Sequence, residues 1–269
     1  MPSKVTALPV RRTFGETMRE DAWWIQPIVV FLGFSAFIVY STWAAFQGQF
    51  YSSGNLLSPF YSPEIWGTTH HALVQADGPP GWWPGFLPYS PAFLVLWAPV
   101  CFRLTCYYYR GAYYKSFWAD PPNCAVGEPR SKYLGEAHLP LIIQNVHRYT
   151  VPFAVALLVF LAHDAWKALW FETGVGGDQL GLSIGTIVLT LNVVLLSTYT
   201  FGCHSVRHFV GGRFDKLAHR PVRKTVFNCV TCLNKRHMLF AWMSLIWVGF
   251  SDIYVRLCSM GVWVDWRIL

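Results

Sequence analysis

Between Asp21 and Glu64 the chain carries no charged residue. Residues 22–47 of that stretch are apolar enough to cross the ~30 Å hydrocarbon core of a bilayer as a helix. Backbone at that depth has no water to bond, so only helices or a closed barrel can span. Four similar runs follow. Gly78–Val100 leads into an aromatic stretch ending at Trp118, and its Pro80, Pro84 and Pro88 place the helix start near Pro91. The others are about Pro140–Ala162, with Arg148 as its one charge, about Leu180–Cys203, and about Met238–Val262. Each falls in the ~17–25 residues a spanning helix needs. Composition agrees: 54% of residues are hydrophobic and 17% aromatic, but only 13% charged, against roughly 25% in soluble domains.

Disorder is excluded by the aromatic content. The formal net charge of +7 does not point to nucleic acid, because long uncharged stretches separate the basic residues and no basic face forms. The expected fold is an all-α integral membrane protein, a bundle of five transmembrane helices. Seventeen of the 21 basic residues lie before the first run, after the second or after the fourth. The positive-inside bias therefore predicts a cytoplasmic N-terminus and an external C-terminus. Residues 1–21 read as a cytoplasmic arm, amphipathic from Val5 to Asp21, residues 22–262 as the anchor domain, and 263–269 as an external tail. The first run is too long for a signal-peptide core and lacks a cleavage site. The loop from Gly48 to Ser90, rich in Gly, Pro, Trp and Tyr, suits a compact interfacial lid. No internal repeat suggests an inverted-repeat transporter. The expected location is the plasma membrane, as a multi-pass protein.

Topology sorts the seven Cys and nine His. Cys101, Cys106, Cys124, His138, His147, Cys203, His204, His208, His219, Cys229, Cys232 and His237 fall on or near the cytoplasmic side. That compartment is reducing, so disulfides are not expected there. An ionisable group within a span, as His147 is, reads by default as functional. His204 and His208, four apart, share a helix face. Thiolates mixed with imidazoles suit an iron–sulfur cluster or zinc, whereas two facing His suit a b-type haem. Cys229 and Cys232 form a C-x-x-C pair with no second pair to complete a zinc site, and packing is the preferred reading. Asp252 and Arg256, four apart in the fifth run, read as an ion pair facing the bundle.

The runs C-Y-Y-Y-R-G-A-Y-Y-K-S-F-W (106–118), P-P-N-C-A-V (121–126), I-Q-N-V-H-R-Y (143–149), C-H-S-V-R-H-F-V-G-G (203–212) and R-H-M-L-F-A-W (236–242) resemble the five-helix membrane anchor of actinobacterial-type succinate dehydrogenases. The resemblance covers about Asp21 to Arg256. It departs from the family pattern at Val206, where a second Cys is often found, and does not extend to Cys229 and Cys232. It implies docked flavoprotein and iron–sulfur subunits, with a further small membrane subunit as an optional partner. It also implies a Rieske-type [2Fe–2S] centre inside the anchor, in place of haem, passing electrons to quinone. The implied ligand candidates are Cys106, Cys124, His147, Cys203, His208 and His237, with His204 in reserve. Tyr114, Trp118, Arg148 and His237 lie on the side expected for quinone binding. The chain has no nucleotide fingerprint or flavin site, so it acts only within a complex. The alternatives are a haem b-bearing, cytochrome b-like anchor, or a proton or substrate transporter using His147, Arg148, Asp252 and Arg256.

Overall fold

The computed structural model describes residues 13–130, 137–139, 141–173, 177–212 and 219–269. Among them, four helices are long and apolar enough to cross a membrane. These are α1 (Ile25–Gln47), α4 (His147–Lys167, extended backwards by a 3-10 turn over Leu141–Val146), α5 (Ile184–Phe201) and α8 (His237–Ser259). Gly48, at a φ of 59°, ends α1 in the left-handed conformation that glycine adopts without penalty. Ser183 starts α5, its side chain accepting from the Thr186 N–H at 3.1 Å.

The second expected span is not one continuous helix. A 3-10 turn over Pro91–Leu94 leads into α2 (Trp97–Leu104), and α3 (Tyr107–Ser116) follows after a break. The helix does begin near Pro91, as the prolines predict. It stops because the Thr105 hydroxyl bonds back to the Cys101 carbonyl at 2.7 Å and Cys106 turns extended, with a ψ of 133°. The fourth span ends in the same way. Gly202 and Cys203 interrupt the helix, Cys203 is extended with a ψ of 144°, and α6 (His204–Gly211) begins. Asn234 of α7 (Pro221–Lys235) holds this break by donating to the Gly202 carbonyl at 2.8 Å.

Among the described residues three core clusters fill the bundle, one of them packing Leu56, Val188, Leu189, Tyr254 and Val255 where α5 meets α8. Another, around the helix breaks, packs Phe34, Phe102, Tyr109, Tyr199, Ala241 and Leu245. The third, at the opposite end, packs Ala44, Ala45, Tyr51, Leu57, Tyr61 and Val248 beneath the 48–90 loop. That loop is a compact lid. It carries a two-stranded antiparallel ladder, β1 (Ser52–Ser53) with β2 (Leu56–Leu57), and a short parallel pair, β3 (Trp66–Gly67) with β4 (Val74–Gln75). Glu64, fully buried, accepts from the Tyr51 hydroxyl at 2.8 Å and from Thr69. A second hairpin, β5 (Trp170–Thr173) with β6 (Gly177–Leu180), joins α4 to α5.

Residues 13–21 and residues 263–269 pack at opposite ends of the bundle. Residues 13–21 are not helical; Gly15 donates to the Gly127 carbonyl at 3.0 Å, and Gly127 to the Glu16 carbonyl at 2.9 Å. Residues 5–12 of the expected amphipathic arm lie outside the described residues. The last seven residues are a strap, not a free tail. Asp265 accepts from the Gly185 N–H at the start of α5, and Leu182 and Leu269 exchange backbone hydrogen bonds. Asp252 and Arg256 form the expected ion pair at 3.3 Å, almost fully buried. Tyr40 and Ser58 also bond Asp252, and Arg256 donates to the Gln49 carbonyl at 3.0 Å.

Candidate metal centre

Four of the expected ligand residues surround one cavity of about 440 Å³: Cys106, His147, Cys203 and His237. Each sits at a helix start. Cys106 is the N-cap of α3 and Cys203 the N-cap of α6, while His147 and His237 are the first residues of α4 and α8. The free N–H groups and partial positive charge at such ends offset part of the cost of burying a thiolate there. At Cys203 this is direct, since Sγ accepts from the Ser205 N–H at 3.3 Å.

The donors meet as two Cys–His pairs. His147 Nε2 lies 2.9 Å from Cys203 Sγ, and His237 Nε2 lies 3.5 Å from Cys106 Sγ. Among the described residues no three His, Cys, Asp or Glu donors are gathered as tightly as around a bound ion. The orientation of His147 is nonetheless fixed. The Thr105 hydroxyl donates to Cys101, so its oxygen accepts from His147 Nδ1–H at 2.8 Å. That assigns the proton to Nδ1 and leaves the Nε2 lone pair facing the cavity, the arrangement that orients metal-binding histidines. His237 Nδ1 is buried with no partner among the described residues. Two thiols at helix N-termini and two imidazoles, one with its tautomer set, form the mixed donor set a Rieske-type centre takes. The residues fit that group.

The other expected ligands lie elsewhere. Cys124 is exposed in the loop that receives the N-terminal arm, its carbonyl accepting from Arg19 at 3.0 Å. His208 is exposed on α6, paired with His204 at 3.0 Å between Nε2 atoms, and of the two only His204 lines the cavity. Cys229 and Cys232 are exposed on α7 and do not line it either. Of the residues expected near quinone, Tyr114 and Trp118 pack ring to ring with centroids 5.9 Å apart. Arg148 is exposed on α4, and His237 lines the cavity with Cys106, His147 and Cys203.

Three side chains central to this region were not singled out from sequence. Phe102 stacks on His147 with centroids 4.7 Å apart, and Tyr199 stacks on His237 at 5.0 Å. Arg103, grouped by sequence with the basic loop after the second span, lies inside α2 instead. It donates to the Tyr109 hydroxyl at 2.6 Å and to Ser244 at 3.0 Å. All three line a second, apolar cavity of about 280 Å³ between α1, α2, α4 and α5. Polar residues within an apolar span, Arg103 and Thr105, were the available signal.

The comparisons with known proteins agree with this architecture. Residues 25–261 match the model of the family described as actinobacterial succinate dehydrogenase subunit SdhC. A chain of the solved structure titled Mycobacterium smegmatis Sdh1 complex in the apo form is similar to this one, with 40% identity and a TM-score of 0.85 over 97% of each chain. No protein of curated function matches. The family match over nearly the whole chain, with four helices among the described residues long and apolar enough to cross a membrane, makes this a multi-pass membrane subunit of an enzyme complex with other subunits: the chain belongs to the family of membrane anchors of actinobacterial succinate dehydrogenase.

Proposed function

We propose that this anchor holds a Rieske-type [2Fe–2S] centre on Cys106, Cys203, His147 and His237. Through it the anchor carries electrons from a docked iron–sulfur subunit, fed by a flavoprotein, to quinone. The observation that carries the reading is the convergence of two thiols and two imidazoles from four helix starts on one cavity. When bound, such a centre supplies one-electron transfer at a potential above that of all-thiolate clusters. Cys106 and Cys203 would supply the thiolates, with the helix ends offsetting their charge. Thr105 holds the ring of His147 in the required tautomer. The two thiols favour this centre over a bis-histidine haem. The transporter alternative has no such support, because His147 begins α4 while Asp252 is neutralised near the far end of α8.

The apolar cavity is the quinone site in this reading. Its walls are mostly apolar with a few polar groups, Arg103 among them, it lies among the spanning helices, and Phe102 and Tyr199 link it to both imidazoles. The broken segment from Pro91 to Ser116 is the fifth crossing, with the N-terminus cytoplasmic and the C-terminus external. The asymmetry of Lys and Arg supports that sidedness, and the arm on 123–127 and the C-terminal strap on the start of α5 pack at opposite ends of the bundle, as it requires.

The test is optical and EPR spectroscopy of the purified complex. A low-g rhombic signal beyond those of the soluble centres, without a Soret band, is expected. A Soret band, or no extra signal, overturns the cofactor assignment.

A further inference from the structure

Arg103 is a cation inside a membrane bundle without a matching anion. Among the described residues it forms no ion pair with a carboxylate. Its guanidinium is held by neutral acceptors, the Tyr109 hydroxyl, the Ser244 hydroxyl and the Ala241 carbonyl. It also lies over the Tyr199 ring, 4.5 Å from the centroid. These contacts engage three of its five N–H donors but leave its charge uncompensated, and an uncompensated charge among spanning helices is costly. Arginine cannot shed the charge by losing a proton. A charge kept at such cost points to an anion that forms beside it.

The neighbouring groups identify that anion. Tyr199, over which the Arg103 guanidinium lies, is stacked face to face with His237, with centroids 5.0 Å apart. With two thiolates and two neutral imidazoles, an oxidised [2Fe–2S] centre carries no net charge, and reduction by one electron leaves it singly negative.

We propose that Arg103 is the fixed counter-charge of the reduced metal centre and raises its reduction potential. The inference rests on the cofactor reading above. One electron enters from the docked iron–sulfur subunit and leaves to quinone, while Arg103 keeps its charge and its hydrogen bonds throughout. A positive charge favours the reduced state over the neutral oxidised one, and the low dielectric of the bundle strengthens the effect.

The test is a potentiometric EPR titration of the intact complex in wild type and four variants. Arg103→Gln removes the charge. Ser244→Asp keeps Arg103 in place and neutralises it with a carboxylate at the fork. Both should shift the redox equilibrium at least tenfold toward the oxidised form, a midpoint lower by 59 mV for one electron. Arg103→Lys and Ser244→Ala should stay within a few-fold of wild type. If Arg103→Gln disturbs assembly, Ser244→Asp alone decides. An unchanged midpoint in Ser244→Asp with the signal intact, or an equal drop in Ser244→Ala, overturns the role of Arg103. Absence of the signal in wild type would instead overturn the cofactor reading, so the two failures are distinguishable.

Discussion

His147 Nε2 faces Cys203 Sγ at 2.9 Å, although the two residues belong to different helices and are 56 positions apart in sequence. Each sits where a helix begins, and the contact exists because α5 breaks at Gly202 instead of running on. Cys106 and His237 repeat the relationship across the break between α2 and α3. The expected consequences begin with these four residues.

Cys106→Ser, Cys203→Ser, His147→Ala and His237→Ala should each abolish the extra EPR signal and succinate-driven quinone reduction together. Electron transfer from succinate to a soluble dye should persist, since in the proposed assembly the flavin and soluble centres belong to other chains. Cys124→Ser, His208→Ala, Cys229→Ser and Cys232→Ser should retain both. Loss of the signal in the second group, with the first group silent, would falsify the ligand set.

Thr105→Val removes the acceptor for His147 Nδ1–H with little change in shape. Loss of such a partner typically costs about 10- to 100-fold in metal affinity. Iron content and signal amplitude per complex should fall in Thr105→Val and recover in Thr105→Ser, which keeps the hydroxyl.

Ala154 is buried and lines the apolar cavity. Ala154→Phe should raise the KM for quinone or block quinone reduction, at a stability cost of about 1–3 kcal/mol for overpacking. The EPR signal and dye reduction should be unaffected. Steady-state kinetics with a quinone analogue tests this, and an unchanged KM argues against the cavity.

Removing Asp252 strands a cation, since the Arg256 side chain is only 4% exposed. Asp252→Ala should destabilise by about 3–5 kcal/mol, read as earlier thermal unfolding in detergent. The double variant Asp252→Leu with Arg256→Met should regain much of the loss.

His71, in the lid, has its pKa pushed down to about 4, first by burial and then by the nearby His70. The unfolded lid therefore binds a proton below its ordinary pKa of about 6.5 that the folded lid refuses until about pH 4. Stability falls as pH drops through that window and rises as pH returns. The exchange rate across residues 48–90, divided by the intrinsic amide rate at each pH, should rise from pH 6.5 toward 4, and His71→Phe should flatten that dependence.

Hydropathy and charge asymmetry are properties of the linear chain, and they were enough to locate α1, α4, α5 and α8, the lid and the Asp252–Arg256 pair. The same local information gathered the Cys and His candidates on one side, because lipid depth sorts residues by their distance from the span ends. It did not separate Cys106 and Cys203 from Cys124 and His208. That choice depends on the breaks at Thr105–Cys106 and Gly202–Cys203, where a threonine back-bond and extended backbone turn each thiol inward. Nor did it distinguish Arg103, inside α2, from the basic residues of the following loop. Hydropathy averages over a whole span, so it cannot register a dihedral change at one residue. Only the packing of helix starts against one another decided which four donors share a cavity and which cation stands beside them.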